Sequence, residues 1–305
     1  MTSISLSHIT KTYNKGSVTA VDDISFSVNE GELFGLIGPD GAGKTSLFRI
    51  LTTLLLADKG TATVCNYDVV KDYKSVRGIV GYMPGRFSLY HDLTVEENLN
   101  FFATIFGTTV EENYDLIRDI YIQIEPFKKR RAGKLSGGMK QKLALCCALV
   151  HKPKALFLDE PTTGVDAVSR REFWEMLKRL QQQKITILVS TAYMDEATLC
   201  DRIGLIQSGK MLTIDTPENV LNAYPEKLYA IKSANVHKLL NDLREFPQTL
   251  QCYASGEFLH LSFKTEEAKN EHDVMNYLNE NGHEQIEMKI SKPNIEDCFI
   301  RLIEN

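Results

Sequence analysis

Apolar and polar residues alternate at the start of the chain, in Ile4-Ser5-Leu6-Ser7 and again in Ile24-Ser25-Phe26-Ser27-Val28. That period of two predicts half-buried antiparallel strands. Between them Lys11-Thr12-Tyr13-Asn14-Lys15-Gly16 reads as a turn that carries an aromatic. The pattern then changes. Leu33 to Ile37 is a continuous apolar run, a buried strand, and Leu47, Phe48, Ile50 and Leu51 recur at helical spacing. Arg77 to Met83 predicts another strand, ended by Pro84-Gly85. Thr94 and Glu97 are spaced as a capping box for a helix through Phe106, and a second helix is predicted from about Glu111 to Ile124. A third, apolar, runs from Ser136 through Val150, so this middle section is helical.

Ala155 to Leu158 is a second unbroken apolar run, followed by a helix from Val168 to about Gln182 and a strand over Ile185–Ser190. Arg202–Ile206 and Met211–Ile214 predict a closing hairpin around Ser208-Gly209. Beyond Ala223-Tyr224-Pro225 the order becomes strand (228–232), helix (236–246), two strands (251–254, 258–263), helix (271–279) and strand (285–290), with a last helix over 294–302. This βαββαβ order is that of a ferredoxin-like unit. The predicted organisation is therefore a domain over 1–222, helical over about 86–150, and an accessory α+β domain over 223–305.

Composition adds mainly exclusions. The 305 residues carry 35 basic and 40 acidic side chains, a net charge of −5, so the balance points to no nucleic-acid partner. Hydrophobic content of 43% is ordinary for a globular protein, and no apolar segment is long enough for a transmembrane helix. The N-terminus lacks the layout of a signal peptide. The six cysteines form no C-x-x-C pair and read as reduced, core-filling thiols of a cytosolic protein.

The chemistry lies where the periods change. Gly38-Pro39-Asp40-Gly41-Ala42-Gly43-Lys44-Thr45-Ser46 joins a predicted strand to a predicted helix, which is the context of a phosphate-binding loop. Its glycines let successive N–H groups turn inward as an anion nest, and the helix start adds its positive dipole end. Lys44 is placed for the β- and γ-phosphates and the Thr45 hydroxyl for Mg²⁺. A glycine-rich turn of this kind can also be a tight connection and nothing more. Asp159-Glu160 ends the second apolar run, which delivers both acids to the carboxyl edge of a sheet. There Asp159 is the expected Mg²⁺ partner and Glu160 the group that orients or deprotonates water; the plainer alternative is two acids capping a turn. Ser136-Gly137-Gly138 at a helix start is a second nest or a simple cap. Tyr13 is either a packed turn residue or a platform for a base. Lys128-Lys129-Arg130-Arg131 reads as a solvated charge run.

Taken in order, these motifs resemble the nucleotide-binding domain of ATP-binding-cassette (ABC) transporters over residues 1 to about 222. Besides the phosphate loop at 38–46, Leu135-Ser136-Gly137-Gly138-Met139 is similar to the family signature. Leu156 to Asp159 with Glu160 resembles its second nucleotide motif and catalytic glutamate, and Gly164-Val165-Asp166 its D-loop. The resemblance implies an α/β P-loop NTPase fold: a mixed sheet with an antiparallel β part and a helical subdomain, followed here by the small ferredoxin-like domain. It implies Tyr13 stacked on adenine, residues 38–46 around the phosphates, and Mg²⁺ at Thr45 and Asp159. It also implies head-to-tail pairing with a second ATP-binding subunit, whose γ-phosphate Ser136, Gly137 and Gly138 would serve, and a nucleotide-binding role for Asp166 of the D-loop. Transmembrane permease subunits are the further partners implied, at the inner face of the cell membrane. The C-terminal segment is similar to that of drug and antibiotic exporters, with a final stretch Pro293-Asn294-Ile295-Glu296-Asp297-Cys298.

Three positions depart from the family pattern. Gly85 stands where the family places a glutamine after Tyr82-Met83-Pro84, and Ala192 where it places a histidine after Ser190-Thr191. Asp40 replaces an uncharged residue in the phosphate loop, setting an acid beside phosphates. The expectation is a site that binds ATP but hydrolyses it slowly, in a heterodimer whose partner carries the missing groups. The rival expectations are a non-hydrolysing regulatory module and a relative of the fold without a transport role.

Overall fold

The computed structural model describes residues 1–265 and 270–304, divided into two compact units, Met1–Pro217 and Glu218–Asn305. In the first unit β1 (Thr2–Tyr13) and β2 (Val18–Asn29) form a long antiparallel pair, as their alternation predicts. β3 (Leu33–Ile37) leads into helix α1 (Lys44–Leu51), and β4 (Lys59–Val64) and β5 (Tyr67–Asp68) complete a four-stranded antiparallel sheet in the order β2-β1-β4-β5.

The strand predicted over Arg77–Met83 is shorter than expected. Tyr73–Ile79 is a helix, α2, and only Val80–Met83 is strand, β6. The division follows burial. Arg77 is exposed, its guanidinium bound to the Thr53 hydroxyl and carbonyl, whereas Val80, Gly81 and Met83 are buried in the sheet. Helices α3 (Val95–Ile105), α4 (Tyr114–Tyr121) and α5 (Gly137–Leu149) make the helical middle section. The capping box at Thr94 and Glu97 is formed in full. The second of these helices is shorter than predicted, because Pro126 opens a separate 3-10 turn at Glu125–Phe127.

β7 (Ala155–Asp159), α6 (Ala167–Gln182), β8 (Thr186–Thr191) and the antiparallel hairpin of β9 (Arg202–Gln207) and β10 (Lys210–Asp215) close the unit. The second sheet runs β10-β9-β3-β8-β7-β6, with β9, β3, β8, β7 and β6 parallel. β3, β7 and β8 are buried along their whole length, which is why β3 and β7 read as apolar runs; β8 buries three hydroxyl residues, Thr186, Ser190 and Thr191, as well. One core joins the two sheets, from Ile4 and Leu6 through Phe48 of α1 to Phe157 of β7.

A short helix, α7 (Pro217–Asn222), precedes the second unit's sheet of β11 (Leu228–Lys232), β12 (Thr249–Ser255), β13 (Phe258–Phe263) and β14 (Glu287–Ser291). The order β12-β13-β11-β14, antiparallel throughout, is the ferredoxin-like arrangement that the βαββαβ pattern predicts. Helices α8 (Val236–Glu245) and α9 (Asn270–Glu280) bury Leu239, Leu243, Val274 and Leu278 against it. The last helix, α10 (Ile295–Glu304), is tied to the sheet through the buried Asp297. Asp297 accepts from the Tyr253 hydroxyl at 2.8 Å and lies 2.7 Å from His260 Nδ1.

Candidate functional site

Because β3, β6, β7 and β8 are parallel neighbours or near neighbours, their carboxyl ends lie along one edge, and each continues into a loop with chemistry on it. β3 ends in the loop 38–43. Gly43 has φ +105 and an added Cβ would lie 2.2 Å from the Ala20 carbonyl oxygen, so both conformation and space demand glycine there. The N-terminus of α1 thereby opens on the loop, its first N–H groups free to meet an anion. Asp40 is exposed, and among the described residues no cation is paired with it.

Lys44 is only 3% exposed, and its ammonium is fully engaged. It donates to the carbonyls of Gly38 at 2.7 Å and Pro39 at 2.9 Å and stands 3.0 Å from Glu160 Oε1. The lysine thus spans from the phosphate loop to the acid at the end of β7. Asp159, on the same strand end, accepts from the Ser190 hydroxyl at 2.7 Å and from Thr45. Burial raises its pKa above the usual carboxylate range, against the opposing pull of the Ser190 and Thr45 hydroxyls. A hydroxyl and a single carboxylate side by side fit a Mg²⁺ ion that completes its shell with water and phosphate oxygens. Glu160 has φ +50, a left-handed backbone unusual for a residue with a side chain. Its N–H donates to the Ser190 carbonyl at 3.1 Å and hydroxyl at 2.9 Å.

β7 is flanked by β8 on one side and β6 on the other, and their ends carry the two departures. Past β8, the Thr191 hydroxyl accepts from the Tyr193 N–H at 3.0 Å, closing a turn around Ala192. Past β6, a Cβ on Gly85 would lie 3.0 Å from the Asp159 carbonyl oxygen and 3.8 Å from Glu160 Cβ. Gly85 therefore lies against the two acids, close to the Asp159 backbone.

The ABC transporter family model matches residues 21–163. The probable multidrug ABC transporter ATP-binding protein YbhF of Escherichia coli (strain K12) is 37% identical over 304 residues, 98% of this chain. The chain spans 52% of that relative, about half its length. The Nod factor export ATP-binding protein I of Mesorhizobium japonicum is 33% identical over 298 residues, covering 96% of this chain and 84% of that protein. The chain belongs to the ABC transporter ATP-binding family. The linearmycin resistance ATP-binding protein LnrL of Bacillus subtilis (strain 168) is 38% identical over 212 residues, 68% of each chain. Among solved structures, a dimeric bacterial ABC transporter cassette matches with a TM-score of 0.63 and 25% identity, over 70% of this chain and 98% of that one.

Other candidate residues of this ABC chain lie around the same edge. The Tyr13 hydroxyl shares a hydrogen bond with Ser46 Oγ at 3.1 Å, which sets the ring beside the start of α1. Asp58 anchors its strand, accepting from Lys11 and from the Thr12 N–H and hydroxyl; Lys11 foremost holds the Asp58 pKa at about 2. Ser136 is the N-cap of α5, accepting from the Met139 N–H at 3.3 Å. A Cβ on Gly137 would lie 3.9 Å from the Gly164 carbonyl oxygen and one on Gly138 would lie 3.0 Å from the Ser169 hydroxyl, so the start of α5 faces the loop before α6 and that helix's first turn. Gly85, Gly137, Glu160 and Gly164 border one cavity of about 160 Å³. Asp166 caps α6, its Oδ1 accepting from the N–H groups of Val168 at 3.1 Å and Ser169 at 3.0 Å.

Sequence reasoning missed several polar residues. Ser190 binds both acids of β7, and Asn98, fully buried, donates to the carbonyls of Tyr90, Leu93 and Thr94 and so braces the segment after Gly85. Glu196 is 2% exposed and accepts from Thr162 and Thr191. A signal was present: Ser190 and Thr191 are polar residues at the end of an otherwise apolar strand.

Proposed function

We propose that this chain binds and hydrolyses ATP as the subunit that drives an exporter, paired with a second ATP-binding subunit and with transmembrane permease subunits at the inner face of a membrane. The observation that carries this is the meeting of Lys44 with Glu160, beside Asp159 and Thr45, at the mouth of the phosphate loop. ATP phosphates would take N–H groups of the loop and of the first turn of α1, with Tyr13 against the adenine. Lys44 would exchange Glu160 and its two carbonyls for the β- and γ-phosphates. Glu160, so released, takes a proton from a water whose oxygen attacks the γ-phosphorus, while the bond from phosphorus to the bridging oxygen breaks and ADP leaves. Thr45 and Asp159 would hold Mg²⁺, which neutralises phosphate charge.

In this reading the chain's own site is weak, because Gly85 and Ala192 bring no side-chain donor to the γ-phosphate or the water. Ser136, Gly137 and Gly138 are complete, and with the D-loop at Asp166 they would close a competent site on the partner's ATP. The permease would dock in an apolar groove of about 390 Å³ bordered by Leu54, Tyr82, Pro84, Phe102, Ile105 and Phe106. That groove includes the strand end leading to Gly85, so pressure on it reaches the nucleotide. Export is the direction suggested by relatives named for Nod factor export and for drug resistance.

The test is steady-state ATP hydrolysis by the purified chain beside a Gly85→Gln, Ala192→His double variant. A slow natural chain and a markedly faster variant are expected. A natural chain that is already fast would remove the case for an asymmetric pair. A second reading is favoured by the same two departures: a regulatory module that binds ATP and never hydrolyses it. Single-turnover hydrolysis with the chain in excess separates the two.

A further inference from the structure

Glu160 is held in a backbone conformation, φ +50, that a side-chain-bearing residue leaves unless its surroundings over-determine it. On one side the restraint is plain: the Glu160 N–H is bound to both the carbonyl and the hydroxyl of Ser190. On the other side the Glu160 carbonyl accepts from the Thr163 N–H at 3.2 Å, and this turn needs its own anchor. The anchor is a buried carboxylate. Glu196 Oε2 accepts from the Thr162 hydroxyl at 3.1 Å and from the Thr191 hydroxyl at 2.6 Å, and both threonines are fully or almost fully buried. Its other oxygen faces Arg170 of α6, with Nε at 3.8 Å. Arg170 also pairs with Asp195 at 3.0 Å and covers the Tyr193 ring at 4.4 Å. The Thr191 carbonyl in turn accepts from the Gly38 N–H at 3.2 Å, so the same residue borders the phosphate loop.

We propose that Glu196 is a positioning residue for ATP hydrolysis: through Thr162 it holds the turn that keeps Glu160 strained and aimed, and through Thr191 it holds the turn around residue 192. Glu196 Oε1 is buried without a hydrogen-bond partner among the described residues, 3.8 Å from the Arg170 Nε. The two hydroxyls on Oε2 are therefore the hydrogen bonds that offset burying the carboxylate, and losing either leaves it still less compensated. The inference rests on the reading that Glu160 acts on the attacking water. It goes beyond that reading by naming what holds the base.

The test uses the full chain and three variants. Thr162→Val cuts the tie to the Glu160 turn, and Glu196→Ala cuts every tie. Glu196→Gln keeps one carbonyl acceptor for both threonines and turns an uncharged amide NH2, in place of a carboxylate oxygen, toward Arg170. Single-turnover hydrolysis is expected to fall about tenfold to a hundredfold in the first two, as for a misplaced catalytic group, with the ATP Kd within about twofold. Glu196→Gln is expected to keep most of the rate. Amide hydrogen exchange gives a readout independent of turnover: faster exchange confined to residues 160–166 in Thr162→Val, and at 160–166 and 191–196 in Glu196→Ala, with 38–46 unchanged. Unaltered protection of 160–166 in both variants overturns the proposal. So does a general loss of protection across β3, β7 and β8 with Kd and rate falling in step, or a Glu196→Gln chain as impaired as Glu196→Ala.

Discussion

The loops after β8 and β6 flank the same two acids, yet they place Ala192 and Gly85 in different surroundings. After β8, the turn that would present a histidine is intact. The Thr191 hydroxyl bridges past Ala192 to the Tyr193 N–H, Thr191 is itself tied to Glu196, and only the side chain at 192 is absent. After β6, a Cβ at 85 would press on the Asp159 carbonyl oxygen at 3.0 Å, so a side chain there needs the neighbouring backbone to give by a few tenths of an ångström. One flank holds a formed turn with a small side chain at its centre. The other is crowded by the backbone of the acid it flanks. Similar-looking departures in a sequence can thus differ in how easily they are reversed.

That contrast can be broken most sharply through the base the two flanks share. In an Ala192→His background, Glu160→Gln is expected to lower single-turnover hydrolysis by about a hundredfold or more, the scale of general-base loss. A rate that survives would mean the new histidine acts without this site. Next in size, Ala192→His alone is expected to raise hydrolysis by about tenfold to a hundredfold, the worth of one placed donor to developing charge. Gly85→Gln alone should give less than about a threefold gain. Its crowding should also destabilise by about 1 kcal/mol, read as a melting point lower by about 2–4 °C. Equal gains from the two single variants would erase the distinction between the flanks. Thr191→Val in the Ala192→His background is expected to remove most of the histidine's gain, by about fivefold, since one buried hydrogen-bonding partner is worth about 1–2 kcal/mol.

The smallest effect concerns the strand between the flanks. Burial raises the Asp159 pKa in the folded chain above its unfolded value, so folding disfavours its charged form. The group's contribution to stability is full below the unfolded carboxyl pKa and is lost as pH rises through the folded one. Asp159→Asn should therefore melt slightly higher than the natural chain at neutral pH without ATP, and the gap should close on acidification. A gap that widens instead would reverse the sign of the burial argument.

Most of the fold was legible wherever burial and secondary structure impose one period. β3 matches its apolar run residue for residue, and β7 begins with its run at Ala155 and ends at Asp159, because strands buried on both faces tolerate little that is polar. The Thr94 cap was legible because its hydrogen bonds are local, three residues apart. Arg77 to Ile79 misled because a short amphipathic stretch fits two periods, and contact with Thr53 decided between them. In the site, the phosphate loop could be read since its chemistry is carried by consecutive residues. Glu196 could not, because its partners at 162 and 170 lie on other elements and nothing in the spacing joins them.

The amino-acid order by itself determined the phosphate loop, the placement of Asp159 and Glu160 at a strand end, the signature helix start and the βαββαβ order of the second unit. Each depends on residues adjacent in the chain or on one element's burial. Only the tertiary structure decided that Lys44 reaches Glu160, that Glu160 adopts a left-handed backbone, that residue 85 is crowded while residue 192 keeps its turn, and that a buried Glu196 ties Thr162 to Thr191. Those are distances between separate strand ends, set by how parallel strands and their loops pack, and packing is a property of the assembled sheet.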